Sequence, residues 1–269
     1  ESRWVAARLR RLSASDVAPR AVHGDRSTML IASDRHKPDD LQLWRDFAEA
    51  DIARATMLRQ KQDHALSVIR DFISGGRCYV GVSGGKDSTV VAHLVSLCNV
   101  SIPLARVKIM PIANPDSDRV LEALVSLTHQ TLITVEVWCR RDDHGWHATG
   151  TLEIGFDLIA ERLKTRRHLS GVRGDESGVR KITMRRNGEA SIGSCRPIGW
   201  WTNQEVFGHL AAYNLPVHPA YAMMGGGRWP RDRLRVDHLG LRAAEQFGRT
   251  DWEREYYGDV LRRLEAARG

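Results

Sequence analysis

Residues 78–95 constrain the fold most. Cys78-Tyr79-Val80-Gly81-Val82-Ser83 stops abruptly at Gly84-Gly85, and Lys86-Asp87-Ser88-Thr89-Val90-Val91-Ala92-His93-Leu94-Val95 follows. Tyr79, Val80 and Val82 are strand formers, whereas the apolar residues after the break recur at spacings of three and four, a helical period. The segment therefore reads as a buried strand, a glycine turn and the first turns of a helix. Such a turn aims unpaired N–H groups and the positive end of the helix dipole at one point, where an anion fits. Gly84 and Gly85 permit positive φ and close backbone approach, Lys86 adds a point charge, and the Ser83 and Ser88 hydroxyls add donors. The Walker A spacing is not met, because Asp87 follows Gly85-Lys86 and Val80 stands where the first glycine belongs.

Around this unit the pattern alternates. Residues 41–73 carry a long helical pattern that Gly75-Gly76 ends. Strands are then expected at 78–83, 105–110, 131–138 and 168–172, with helices at 87–98, 118–129 and 153–166 between them. Alternating units imply an α/β fold with a parallel sheet and helices on both faces, and ligands in such sheets bind beyond the carboxyl ends of the strands. The 269 residues suit one such domain with helical elaborations at both ends. Residues 1–74 read as a basic, irregular arm followed by the long helix, 75–225 as the domain, and 226–269 as a helical extension.

No apolar run approaches the roughly 18 to 20 residues of a membrane span, so a soluble cytoplasmic protein is expected. The cysteines at 78, 98, 139 and 195 form no Cys-x-x-Cys pair, which leaves buried thiols as the expectation. The nearest approach to ligand spacing among the histidines is His144 and His147, in the stretch 140–150, which reads as a solvated loop rather than a ligand pair. The net charge of +7, with arginine dense over 166–186 and 228–235, favours polyanionic ligands, whether nucleotides or nucleic acid.

Two further segments carry chemistry. Ser170-Gly171-Val172-Arg173-Gly174-Asp175-Glu176-Ser177-Gly178-Val179-Arg180 follows a predicted strand on the same rim, and its arginine forks suit phosphate or sulfate oxygens. Glu176 is placed to hold one of them. In Asn114-Pro115-Asp116-Ser117, the acidic or hydroxyl side chain reads as the cap of the next helix. In Cys195-Arg196-Pro197-Ile198-Gly199-Trp200-Trp201-Thr202-Asn203-Gln204-Glu205-Val206, Thr202 and Glu205 form a capping box.

The loop Ser83-Gly84-Gly85-Lys86-Asp87-Ser88 resembles, at every position, the Ser-Gly-Gly-x-Asp-Ser loop of the PP-loop ATP pyrophosphatases. Gly171, Arg173, Glu176, Ser177 and Arg180 resemble the Gly-x-Arg-x-x-Glu-Ser-x-x-Arg motif of phosphoadenylyl-sulfate (PAPS) reductases and their relatives. The resemblance spans roughly residues 75–225 and implies an adenine nucleotide alpha hydrolase-like, Rossmann-like sheet. Two features depart from the reductases. The chain ends Leu-Glu-Ala-Ala-Arg-Gly without their C-terminal Glu-Cys-Gly-x-His nucleophile, and it lacks the paired cysteines of the cluster-bearing members.

What remains is similar to the ATP pyrophosphatases of DNA phosphorothioation systems, DndC-like or SspD-like, with the cluster-free SspD-like kind favoured. This resemblance implies ATP and Mg²⁺ without an iron–sulfur cluster, a cysteine desulfurase partner, and DNA as direct or indirect acceptor. It also implies roles by position: Lys86, Asp87, Arg173 and Arg180 catalytic; Ser83, Gly84, Gly85, Lys86, Ser88, Gly171, Glu176 and Ser177 nucleotide-binding; Asp87 towards the metal. A reductase using Cys195, and a non-catalytic nucleotide- or DNA-binding subunit, are the alternatives. Cys195 reads either as a buried thiol or as a persulfide relay.

Overall fold

The computed structural model describes residues 29–142, 145–148, 150–234, 236–241 and 249–266. His144 and most of the basic arm expected over residues 1–40, up to residue 28, lie outside the described residues.

Five parallel strands form the sheet: β1 (Tyr79–Gly81), β2 (Leu104–Met110), β3 (Leu132–Trp138), β6 (His168–Leu169) and β7 (Ser194–Cys195), in the order β3-β2-β1-β6-β7. The chain winds outwards from β1 through β2 to β3, then returns to place β6 on the other side of β1. The strand order thus reverses at β1, and the crevice at its carboxyl end is where such sheets bind ligands. Both loops singled out in the sequence, 83–88 after β1 and 170–177 after β6, open into this crevice.

Helices cover both faces. On one side α3 (Lys86–Ser96), α4 (Asp116–Thr128) and α7 (Asn203–Ala212) close the main core, with α1 (Pro38–Ala55) and α2 (Arg59–Ser74) packed outside them. On the other side α5 (Thr151–Leu163) lies on β2 and β3, where Tyr79, Ala105 and Ile159 make a smaller cluster. Gly155 permits that approach, because a Cβ there would stand 2.2 Å from Val107 Cγ1. A short helix, α6 (Gly178–Asn187), lies between β6 and β7, and α8 (Thr250–Ala266) closes the described chain. No helix among the described residues is long and apolar enough to cross a membrane.

Three differences from the sequence reading have local causes. The helical pattern over 41–73 is two helices, because the chain tightens at residues 56–58. There the Thr56 hydroxyl donates to Ala53 O at 2.8 Å, the Met57 and Leu58 amides donate three residues back, and Leu58 turns into the core. Part of the stretch read as a loop, residues 140–147, is an antiparallel hairpin of β4 (Arg140–Asp142) and β5 (Gly145–His147). Strand β7 has only two residues, too short to show a period-2 pattern, and was not expected.

The three segments inferred along the chain share one buried cluster. It includes Trp44, Leu58 and Ile69 from the first, Val80, Leu94 and Phe207 from the second, and Leu234, Trp252 and Tyr257 from the third.

Candidate active site

The loop after β1 turns through Gly84, whose φ of +82° is in the left-handed region. A Cβ at this position would stand 3.2 Å from both Cβ and O of Ser117, so glycine is required by conformation and by space. The Ser83 hydroxyl accepts the Gly85 amide at 3.3 Å. The Ser88 hydroxyl donates to Gly85 O at 2.9 Å and accepts the Ser83 amide at 3.3 Å. Ser83 and Ser88 thus brace the loop from within. The amides of Gly84, Asp87 and Ser88 are left with no hydrogen-bond partner among the described residues. Free N–H groups at a glycine turn and a helix start form an anion cradle.

The Lys86 amide is occupied. Tyr221, from the 3-10 turn Pro219–Ala222, accepts it on its phenol oxygen at 3.2 Å, and its ring lies 5.7 Å from the Lys86 ammonium. Burial first, and then the Asp87 charge, drive the Tyr221 hydroxyl well above its ordinary pKa, so it remains a neutral phenol. The Lys86 side chain is buried, and its ammonium donates to Asp87 Oδ2 at 2.7 Å.

The other Asp87 oxygen, Oδ1, accepts Arg173 Nε at 2.6 Å. Arg173 is fully buried, and it also donates to Trp201 O at 2.9 Å and to Asn203 Oδ1 at 2.6 Å. The structure therefore gives Arg173 a different occupation from the phosphate fork expected of it. Its guanidinium ties the loop after β6 and the start of α7 to the carboxylate of the glycine loop. Gly171 makes this closeness possible, since a Cβ there would fall 2.6 Å from Asp87 C and 2.8 Å from Ser88 N.

Glu176 and Arg180 pair with each other, and Glu176 Oε2 also accepts the Arg173 amide at 3.1 Å. Ser177 caps α6, its hydroxyl accepting the Arg180 amide at 3.2 Å. Ser83, Gly84, Gly85, Lys86, Asp87, Ser88, Gly171 and Arg173 thus come together directly. Glu176, Ser177 and Arg180 form the outer wall, with Arg180 half-exposed. The capping box of Thr202 and Glu205 is present as expected. Neither Asp116 nor Ser117 caps α4 as expected: Pro115 stands at the N-cap, Asn114 Oδ1 accepts the Asp116 amide at 3.0 Å just before the helix, and the Asp116 side chain instead accepts the buried Tyr257 hydroxyl at 2.9 Å.

Tyr221, Asn203 and the Trp201 carbonyl were not singled out as site groups. Asn203 and Trp201 belong to the segment 195–206, read only for its capping box, and Tyr221 lies beyond it in Leu215-Pro216-Val217-His218-Pro219-Ala220-Tyr221. His218 completes the floor. Its Nδ1 accepts the Ala220 amide at 3.2 Å, which puts the ring proton on Nε2, facing the Ser117 hydroxyl at 3.3 Å. Burial lowers its pKa to about 3, so the ring stays neutral.

No group of three or more His, Cys, Asp or Glu converges on a metal position among the described residues. Asp87 is the carboxylate at the cradle, and this suits a cation held largely by phosphate oxygens and water rather than by a protein cage. Cys195 is fully buried in β7, and desolvation pushes its thiol up to about 12.

No protein-family model and no curated protein sequence matches the chain. Among solved structures, phosphoadenylyl-sulfate (PAPS) reductase from Candida auris, in a phosphate complex, is 13% identical with a TM-score of 0.44, covering 57% of this chain and 81% of that one. The U34-tRNA thiolase NcsA from Methanococcus maripaludis, with its 4Fe-4S cluster, is 13% identical with a TM-score of 0.38, covering 76% and 78%.

Proposed function

We propose that the protein is a PP-loop ATP pyrophosphatase that activates an acceptor for sulfur incorporation. The observation that carries this reading is the set of free Gly84, Asp87 and Ser88 amides beside the Lys86 ammonium, at the point where the strand order reverses. A diphosphate matches such a donor set, and the full Ser-Gly-Gly-x-Asp-Ser sequence selects this kind of loop over Walker A.

In the reaction, a lone pair on an acceptor oxygen forms a bond to the α-phosphorus of ATP. The α–β anhydride bond breaks, and its electron pair leaves with pyrophosphate. The cradle amides and Lys86 stabilise the negative charge that gathers on the leaving group. Bound with the nucleotide, Mg²⁺ would neutralise phosphate charge, with Asp87 the carboxylate placed to hold one of its waters. Arg173 fixes Asp87, and Arg180, on the exposed wall, is the arginine able to reach an incoming phosphate. The adenylated oxygen then departs with AMP, keeping its electron pair, as a lone pair on sulfur forms the new bond to the acceptor atom, and a thiol reductant supplies the two electrons that release this sulfur from its persulfide carrier.

The acceptor we favour is the DNA backbone, with a cysteine desulfurase supplying sulfur, no cluster in this chain, and a cytoplasmic setting where ATP is plentiful. The reductase alternative needs a nucleophilic thiol at Cys195. Its burial and raised pKa leave almost no thiolate at neutral pH.

The test is incubation with Mg²⁺ and ATP labelled at the α-phosphate, with Lys86→Ala alongside. AMP and pyrophosphate from the wild type, falling at least ~100-fold in the variant, are expected from the loss of one stabilising cation. Thiol-dependent sulfite release from PAPS without ATP turnover would replace this reading with the reductase.

A further inference from the structure

Helix α6 is poorly buried for an element of a packed domain. Of its ten residues only Met184 is buried, fitting against Gly174 and Gly199, and Arg180 is held at the first turn by Glu176. Successive residues step by about 100° around a helix, so Val179, Ile182 and Arg186 lie on the side away from Met184 and Arg185 lies at the edge. Val179 and Ile182 are 76% and 66% exposed. Lys181, Arg185 and Arg186 make no ion pair among the described residues, and residues 178–187 contain no acidic side chain. The outer face therefore carries Arg186 beside two exposed aliphatic side chains, with Arg185 at its edge and the exposed Lys181 on the flank nearer Met184.

We propose that α6 is a docking element for duplex DNA, entering the major groove with Lys181, Arg185 and Arg186 on the flanking phosphates. Three physical points select this occupant. The charge is unopposed, as binding a polyanion requires. The face carries no aromatic ring on which unpaired bases could stack, which disfavours a single strand. An α-helix with an exposed outer face fits the major groove of B-form DNA, whereas that of A-form RNA is too narrow, and the aliphatic pair can meet thymine methyl groups there. The start of α6 is also joined to the candidate site, because Ser177 caps it and Glu176 bonds both Arg180 and the Arg173 amide. DNA held on α6 lies against the wall of the nucleotide cradle. Its use as the acceptor rests on the adenylation reading, whereas its binding rests on the charge and exposure of α6.

The test is fluorescence anisotropy of a short labelled mixed-sequence DNA duplex, titrated with the full chain over a series of salt concentrations. The triple variant K181A/R185A/R186A is expected to bind at least ~10-fold more weakly, with the log–log salt slope shallower by about 2 to 3, roughly 0.9 for each phosphate that is no longer neutralised. V179S/I182S should weaken binding with the slope unchanged, which identifies groove contact beyond backbone attraction. Circular dichroism and ATP cleavage without DNA should be unaltered in both variants, since none of these side chains is buried or touches the cradle. Wild-type affinity and slope in the triple variant would overturn the proposal. So would tighter binding of single-stranded DNA or duplex RNA, or a face that captures an acidic protein and no DNA. If neither wild type nor variant cleaves ATP but the slope change is found, the docking surface stands and the adenylation reading falls.

Discussion

At the scale of single residues, the arginine of the second motif is defined by what encloses it. Arg173 has no exposed surface, and its partners come from two separate segments: Asp87 of the glycine loop, and the Trp201 carbonyl with Asn203 at the start of α7. Removing one member of a buried pair strands the other charge, typically at about 3 to 5 kcal/mol. Arg173→Ala is therefore expected to lose at least ~3 kcal/mol of stability in urea denaturation. Arg173→Lys keeps the charge but cannot reproduce the fork, so the expected loss is about 1 to 3 kcal/mol. A stability of Arg173→Ala within error of wild type would show that the guanidinium does not hold these segments together. His93 and His209 make a second residue-scale prediction. They face each other across α3 and α7 at 3.0 Å, Nδ1 to Nε2, with Tyr213 against both rings and Trp201 against His209. Burial lowers the His93 pKa to about 4, and burial together with His93 lowers His209 well below its ordinary value. The unfolded chain takes up these protons near pH 6.5, earlier than the folded one, so this contribution is complete above that pH and shrinks as pH falls. At pH 5 the loss from His93 alone is about 2 kcal/mol. The urea midpoint should fall between pH 7 and pH 5, and His209→Phe should reduce that dependence; an equal slope in the variant would remove the pair as its cause.

At the scale of elements, the active geometry depends on how closely the loop after β6 approaches the start of α3. Gly171 sets that distance. A methyl group there would meet the backbone of Asp87 and Ser88 inside 3 Å, and backbone cannot yield as a side-chain tip does. Gly171→Ala should push the Arg173 loop off the cradle, weakening nucleotide binding at least ~10-fold, with a destabilisation of about 1 to 3 kcal/mol. Calorimetric titration with a non-hydrolysable ATP analogue reads the first, and an unchanged affinity would mean that the two loops act independently. This closeness also marks how far the sequence could be read. The strand–turn–helix unit at 79–96 and the alternation up to β6 were legible because their periods are local. The glycine loop was legible because its residue types are nearly obligatory for its conformation. The occupation of Arg173 was not, since a buried arginine and an exposed one look alike until the carbonyl of Trp201, 28 residues on, is known to close over it. Tyr221 was illegible for the same reason: its hydroxyl reaches the Lys86 amide across 135 residues of chain. The break at 56–58 was missed because Thr56 and Leu58 do not interrupt a helical period.

At the scale of the molecule, the segments before and after the sheet are fastened to each other as well as to the domain. The hydroxyl of Tyr256 on α8 donates to Asp40 Oδ2 at 2.5 Å and accepts the Gly225 amide at 2.8 Å. Asp40, on α1, is fully buried and takes the Gly226 amide on its other oxygen at 3.1 Å. Arg231 reaches back to Asp51 of α1 with two bonds of 2.7 and 2.6 Å, both groups buried, and its guanidinium lies 4.0 Å from the Phe207 ring centroid on α7. Arg35 makes a two-pronged pair with Asp259 and sits over Tyr257. These ties carry charge in buried or half-buried surroundings, where losing one partner leaves the other unsatisfied. The core follows the same plan, since Trp44 and Leu58 belong to one cluster with Trp252 and Tyr257. A chain built this way should unfold as a unit. Tryptophan fluorescence and far-ultraviolet circular dichroism should give coincident urea transitions, and Asp40→Ala should move both together to lower urea by about 2 to 4 kcal/mol. Were the terminal helices separate appendages, the same substitution would instead split the curve, with α1 and α8 released first and the five-stranded sheet surviving to higher urea.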